Sequence, residues 1–238
     1  MKRAFLIEAA VMAQYIRQLL PIGLIVAVAM TIGVGNVSAA ASVFVMMACM
    51  LSCTAMCAYD DMNNWGAFRL SLPLSRRDVV LGRYAMVIAF AFGAAFFGVA
   101  LVVASWALGQ IGVLPESIAA YVALDADGLP SSLFAVLFVL LIGLFDAGVS
   151  LPGFFKFGTT KASQYMPYII LVVFVLLVAL AGQVLDGGVV MGQIGRVLTW
   201  LENPENLALI AVAVLAACAA ILAISAAVSL RLYEKRDL

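Results

Sequence analysis

Side chains able to do chemistry are scarce in this chain, and most of them sit together. Residues 59–84, YDDMNNWGAFRLSLPLSRRDVVLGRY, hold three aspartates, four arginines, two asparagines and a tryptophan in a chain that is 66% hydrophobic. Asp60 and Asp61 offer acid–base groups or a helix cap. Trp65 and Phe68 are large apolar rings beside Asn64, Arg69, Arg76 and Arg77, the mixture of aromatic anchors and polar rim that a protein-binding surface uses. Asp146 stands apart, within an otherwise apolar run. The chain has no histidine, which removes most zinc and non-haem iron sites and the Ser/His and Cys/His nucleophile pairs. Cys49, Cys53 and Cys57 recur every fourth residue and Cys218 lies elsewhere. A metal or redox cluster is one reading of them, and small thiols at close helix contacts is the reading the spacing favours.

The elements that must position these residues are membrane helices. Mean hydropathy is +1.16 and only 11% of the 238 residues are charged, so the chain cannot cover an apolar core with a charged surface. A spanning helix needs about 20 mostly apolar residues. Stretches near that length are expected at 19–35, 39–58, 85–108, 131–153, 167–185 and 207–230, giving an all-α membrane domain of six spans over 1–238. Even span number places both ends on one side. Of the 13 lysines and arginines, all but Arg196 then fall on the side of the termini, so both ends are expected to be cytoplasmic. The opposite segments are acidic, with Glu116, Asp125, Asp127, Asp186, Glu202 and Glu205, and stretches 111–124 and 191–202 are expected to form short helices on that surface. Acidic and basic residues balance at 13 each, and no nucleic-acid partner is expected.

The N-terminus imitates a signal peptide, but Glu8, Gln14 and Arg17 interrupt its apolar core. Residues 1–18 instead place Phe5, Ala9, Met12 and Ile16 on one face and Arg3, Gln14, Arg17 and Gln18 on another, the pattern of a helix lying in the membrane interface. In the last span Ala216, Ala220, Ala223 and Ala227 form a small-residue stripe for close helix packing, with a helix of the same chain or of a second copy. In segment 59–84, Asp60 or Asp61 is placed to cap a short helix carrying Trp65 and Phe68, and Pro73 ends it. Ser75-Arg76-Arg77-Asp78 reads as a capping box that starts the helix entering the third span.

This stretch resembles the cytoplasmic segment of small ATP-binding-cassette permease subunits of the type-two exporter class: an acidic-Asn-Trp cluster, a Ser-Leu-Pro-x-Ser-Arg turn and an Arg-Tyr exit. LPGFFKFGTTKASQY at 151–165 and the basic-aromatic end SLRLYEKRDL are similar to two further family segments. The resemblance implies six spans per subunit, an N-terminal interfacial helix, two permease subunits facing one another, and residues 60–72 as a coupling helix seated on an ATPase subunit. Asp60, Asp61, Asn64, Trp65, Phe68, Arg69, Arg76 and Arg77 would then be docking residues, and the site of expression a bacterial cell membrane. The chain binds no cofactor on this reading, because no lysine follows a glycine and a P-loop is therefore absent. ATP and magnesium belong to the partner, which performs the enzymatic step. Asp146 departs from the family pattern and is a candidate for the translocation path, unless the fourth span ends near Leu144. Sparse charge in the spans suits a hydrophobic or amphipathic cargo such as a peptide, lipid-like molecule or drug. The competing readings are an ATPase-independent transporter or immunity protein, and an intramembrane aspartyl protease using Asp60 and Asp146. Against the protease, Leu144 stands two residues before Asp146 where such enzymes carry glycine.

Overall fold

The computed structural model describes residues 2–61, 75–111, 124, 128–158, 172 and 206–234. They are helical: α1 (Lys2–Val34), α2 (Val37–Asp61), α3 (Arg76–Ile111), α4 (Gly128–Phe157) and α5 (Leu207–Glu234). Four are long and apolar enough to cross a membrane, and α1 adds a shorter apolar stretch, Pro21–Gly33. The expected span 167–185 and most of the two acidic segments lie outside the described residues.

Local chemistry sets the helix ends. Gly35 closes α1 with φ 70°, its N–H donating to Thr31 O at 2.9 Å. Glycine has no Cβ to be crowded at that left-handed angle, and it occupies the equivalent place after α4, where Gly158 has φ 77°. Asn36 then starts α2: its Oδ1 accepts from Ser38 N at 2.8 Å, satisfying a donor that the helix leaves open. The box expected at α3 is present. Asp78 N donates to Ser75 Oγ at 3.1 Å, and Ser75 Oγ donates to Asp78 Oδ2 at 2.7 Å. We expect Ser75→Ala to lower stability by about 0.5–2 kcal/mol, read as a lower thermal unfolding midpoint in detergent; an unchanged midpoint would mean that packing alone sets where α3 begins.

The structure joins two segments, 1–18 and 19–35, that hydropathy separates. The break near residue 18 is absent, and α1 is one helix with Pro21 inside it. A proline removes a single backbone bond and can bend a helix, yet in an apolar setting the remaining bonds hold it together. Residues 2–18 are thus the first half of a longer rod, with Ala4, Glu8 and Met12 buried along one line. Helix α2 continues through Asp60 and Asp61, and the short helix expected to carry Trp65 and Phe68 lies outside the described residues.

Helix α2 is the centre of the bundle, packing on α1, α3 and α4, and α4 packs most extensively on α5. Small residues allow the close contacts. A Cβ added at Gly143 of α4 would lie 2.7 Å from Cys49 Cβ of α2. Cys49, Cys53, Cys57 and Cys218 are all buried free thiols, and no group of metal-ligating side chains occurs among the described residues. The alanine stripe faces the other way. Val214, Cys218, Leu222, Ser225 and Ser229 form the buried side of α5, whereas Ala216, Ala220, Ala223 and Ala227 are exposed.

Candidate functional site

Helices α1 and α3 begin, and α2, α4 and α5 end, at one pole of the bundle, because side chains from all five meet there. The polar stretch leaves this pole at Asp61 and returns to it at Ser75. Asn64, Trp65, Phe68 and Arg69 lie outside the described residues, and of Asp60 and Asp61 only the helical backbone is described. Arg76 is turned back into the bundle: its Nη1 donates to Tyr233 O of α5 at 3.0 Å, and its Cζ lies 6.0 Å from the centre of the Tyr233 ring. Tyr233 in turn meets Phe155 of α4 edge-on at 5.2 Å. Arg76 therefore ties the first turn of α3 to the last turn of α5, while Arg77 is exposed.

Two turns further in lies an ion pair that the sequence reading does not assign. Arg83 of α3 is 2% exposed and Glu8 of α1 is 4% exposed. Arg83 Nη2 donates to Glu8 Oε1 at 3.2 Å. Its Nη1 lies 3.7 Å from Cys57 Sγ of α2, and its Cζ lies 5.5 Å from the Phe155 ring centre of α4. Four helices thus meet on one guanidinium. A buried pair is costly to assemble, but removing one partner strands the other charge, which typically destabilises by about 3–5 kcal/mol. The next residue, Tyr84, extends the polar seam: its hydroxyl is 2.6 Å from Ser225 Oγ and 2.8 Å from Ser229 Oγ, and Ser225 Oγ donates to Gly148 O. Such bonds between helices contribute about 0.6 kcal/mol on average in a membrane, so the seam acts mainly by fixing the register of α3, α4 and α5.

The signal for the ion pair was in the sequence but had local explanations. Glu8 reads as an interruption of an apolar run, and Arg83 as one more basic residue on the positive side. The line Ala4, Glu8, Met12 has helical spacing and places a charge where an apolar side chain belongs. Nothing in the spacing indicates that its partner is 75 residues away.

Asp146 is inside the fourth helix, since α4 continues to Phe157, and it is 8% exposed. The helix itself does not end at Leu144. Asp146 lies one turn beyond Gly143, where α4 packs on Cys49 of α2. It makes no hydrogen bond or ion pair with another described residue. Asp60, by contrast, belongs to the last turn of α2 at the pole, whereas Asp146 lies 11 residues before the end of α4, about 16 Å at 1.5 Å per residue. The two backbone positions therefore lie at different levels of the bundle, which speaks against a shared acid–base site.

Above the Glu8–Arg83 level a groove of about 380 Å³ opens between α1 and α3, with α2 as its floor. Phe5, Ile16, Phe44, Phe90, Gly93 and Phe97 are among its wholly apolar lining.

The model of a protein family described as "ABC-2 family transporter protein" matches residues 5–234. No curated protein and no solved structure matches the chain. Nearly the whole chain is covered, including both flanks of the polar segment, α1 with its ion pair and the terminal helix. The chain is a multi-pass membrane transport component that belongs to the ABC-2 transporter family, as a permease subunit.

Proposed function

We propose that this permease subunit is the membrane half of an ATP-driven exporter in a bacterial cell membrane, with both termini in the cytoplasm. A separate ATP-binding-cassette ATPase binds ATP and magnesium and docks on residues 60–72, and its closure moves the ends of α2 and α3. The observation that carries this reading is the way the polar segment is mounted. It leaves α2 at Asp61 and re-enters at a capped Ser75, and the next residue is tied through Arg76 to the end of α5. A push on such a segment is delivered to the ends of α2 and α3, and through Arg76 to α5. Trp65 and Phe68 supply the apolar anchors, and Arg77 and Arg69 the polar rim. Purification of the tagged chain from its native membranes in mild detergent should recover, in equal amounts, a protein carrying Gly-Lys-Ser or Gly-Lys-Thr. Recovery of folded permease with no such partner across several detergents would contradict the reading and favour an ATPase-independent transporter.

A second permease subunit completes the assembly. The exposed alanine face of α5 supports this, because in lipid small side chains let two helices approach closely where no hydrophobic force drives them together.

The cargo is hydrophobic or amphipathic, in keeping with an apolar groove and few buried charges. Asp146 borders the path and meets a cationic or amide group of the cargo. An ionised carboxylate at the centre of a span costs about 2.5–3.5 kcal/mol on insertion scales, which restricts such residues to positions with a use or a partner. Asp146→Asn should leave assembly intact and lower transport roughly tenfold, the loss of one charge-assisted hydrogen bond of about 1.5 kcal/mol. Transport unchanged in Asp146→Asn would assign the carboxylate to packing.

A further inference from the structure

The first half of α1 packs closely on α3 near the start of both helices. At that level contact is close: a Cβ added at Gly82 would lie 2.9 Å from Ala4 Cβ and 3.2 Å from the Ala4 carbonyl carbon, so backbone nearly touches backbone. The Glu8–Arg83 pair sits immediately beside this contact, with Cys57 and Phe155 packed around the guanidinium. Further along, the groove separates α1 from α3, and rings from α1, α2 and α3 line it. Whatever α3 does at its start therefore reaches α1 through Ala4, Glu8, Gly82 and Arg83.

We propose that Glu8 and Arg83 form a clamp that makes the first half of α1 and the first turns of α3 move as one body, so that α1 is driven together with α3 when segment 62–74 is displaced. The inference rests on the exporter reading, since it needs an ATPase to supply the displacement. Opening the clamp would break an ion pair in apolar surroundings, beside a close backbone contact between Ala4 and Gly82. A closed clamp through the cycle is thus the arrangement that the packing favours. Glu8 and Arg83 are positioning residues on this account, and they touch neither nucleotide nor cargo.

Spin labels report the clamp without knowledge of the cargo. With the four native cysteines replaced by serine, labels at exposed positions 13 of α1, 92 of α3 and 138 of α4 give three pairwise distances in the permease–ATPase complex. On adding ATP with a hydrolysis-deficient ATPase, the 92–138 and 13–138 distances should shift together, while 13–92 stays narrow and unchanged. In Glu8→Gln the 13–92 distribution should broaden before any nucleotide is added. ATP should still shift 92–138, but 13–138 should no longer follow, a loss that a general weakening of the fold would not confine to α1. The double variant Glu8→Arg, Arg83→Glu should restore the narrow distribution, and it covers the case in which the single variant does not fold. A 13–92 distance that changes with ATP in the wild type, or that stays narrow in Glu8→Gln, overturns the clamp. If ATP shifts none of the three distances in an intact wild-type complex, the exporter reading fails and the transmission claim with it.

Discussion

Replacing Trp65 and Phe68 together by alanine is expected to leave the permease folded in the membrane and to remove most of its hold on the ATPase. Rings that anchor a protein interface contribute about 2 kcal/mol or more each, near thirtyfold in affinity per ring, with the two effects not strictly additive. The fold should tolerate the change because α2 closes at Asp61 and α3 restarts at Ser75 with its own cap, so neither helix depends on the rings between them. Detergent pull-down at matched permease concentration measures the loss. Full recovery of the ATPase with unchanged transport would remove these rings from the docking surface. Arg77→Glu in the same assay should weaken capture less, since a charge at the rim of an interface acts mostly on the rate of encounter.

Gly143→Leu is expected to cause a large loss of stability in the bundle. The first added carbon would already lie 2.7 Å from Cys49 Cβ and 2.9 Å from its Sγ. The Cβ of a helical residue cannot swing aside, so α2 and α4 must separate. Overpacking of this kind typically costs 1–3 kcal/mol or somewhat more, and here it opens the seam on which Leu140, Leu144 and Ala147 are buried. Thermal unfolding in detergent should show a lower midpoint for Gly143→Leu, with partial recovery when Cys49→Gly is added to make room. A single variant as stable as the wild type would mean that the α2–α4 contact is looser than described.

The contrast between these two sites shows what the sequence carries. The helices were legible because apolar length is a local property: 39–58, 85–108, 131–153 and 207–230 all fall inside α2, α3, α4 and α5. Their ends were less legible from hydropathy, since a helix runs past the first charged residue until a cap or a glycine stops it, as α3 begins nine residues before the apolar run and α4 continues to Gly158. The Ser75–Asp78 box was readable because both partners lie within one turn. Pairing across the bundle was not. Glu8 and Arg83 each had a sufficient local reason to be where they are, and only the packing of α1 on α3 joins them. The alanine stripe was visible as a stripe, but the period of small residues is the same whichever neighbour it faces, and the structure turns it away from the described helices. Asp146 was recognisable as out of place, and α4 carries it buried in a helix that runs on to Phe157.

The central claim is that residues 60–72 receive force from an ATPase, and a photocrosslinking amino acid placed at position 65 tests it most directly. Irradiated in native membranes, the permease should give one main product, joined to a protein with a nucleotide-binding P-loop, in yield that does not depend on the cargo and changes when ATP is trapped. Crosslinks only to lipid or to the permease itself, in membranes where that ATPase is present, would contradict the account.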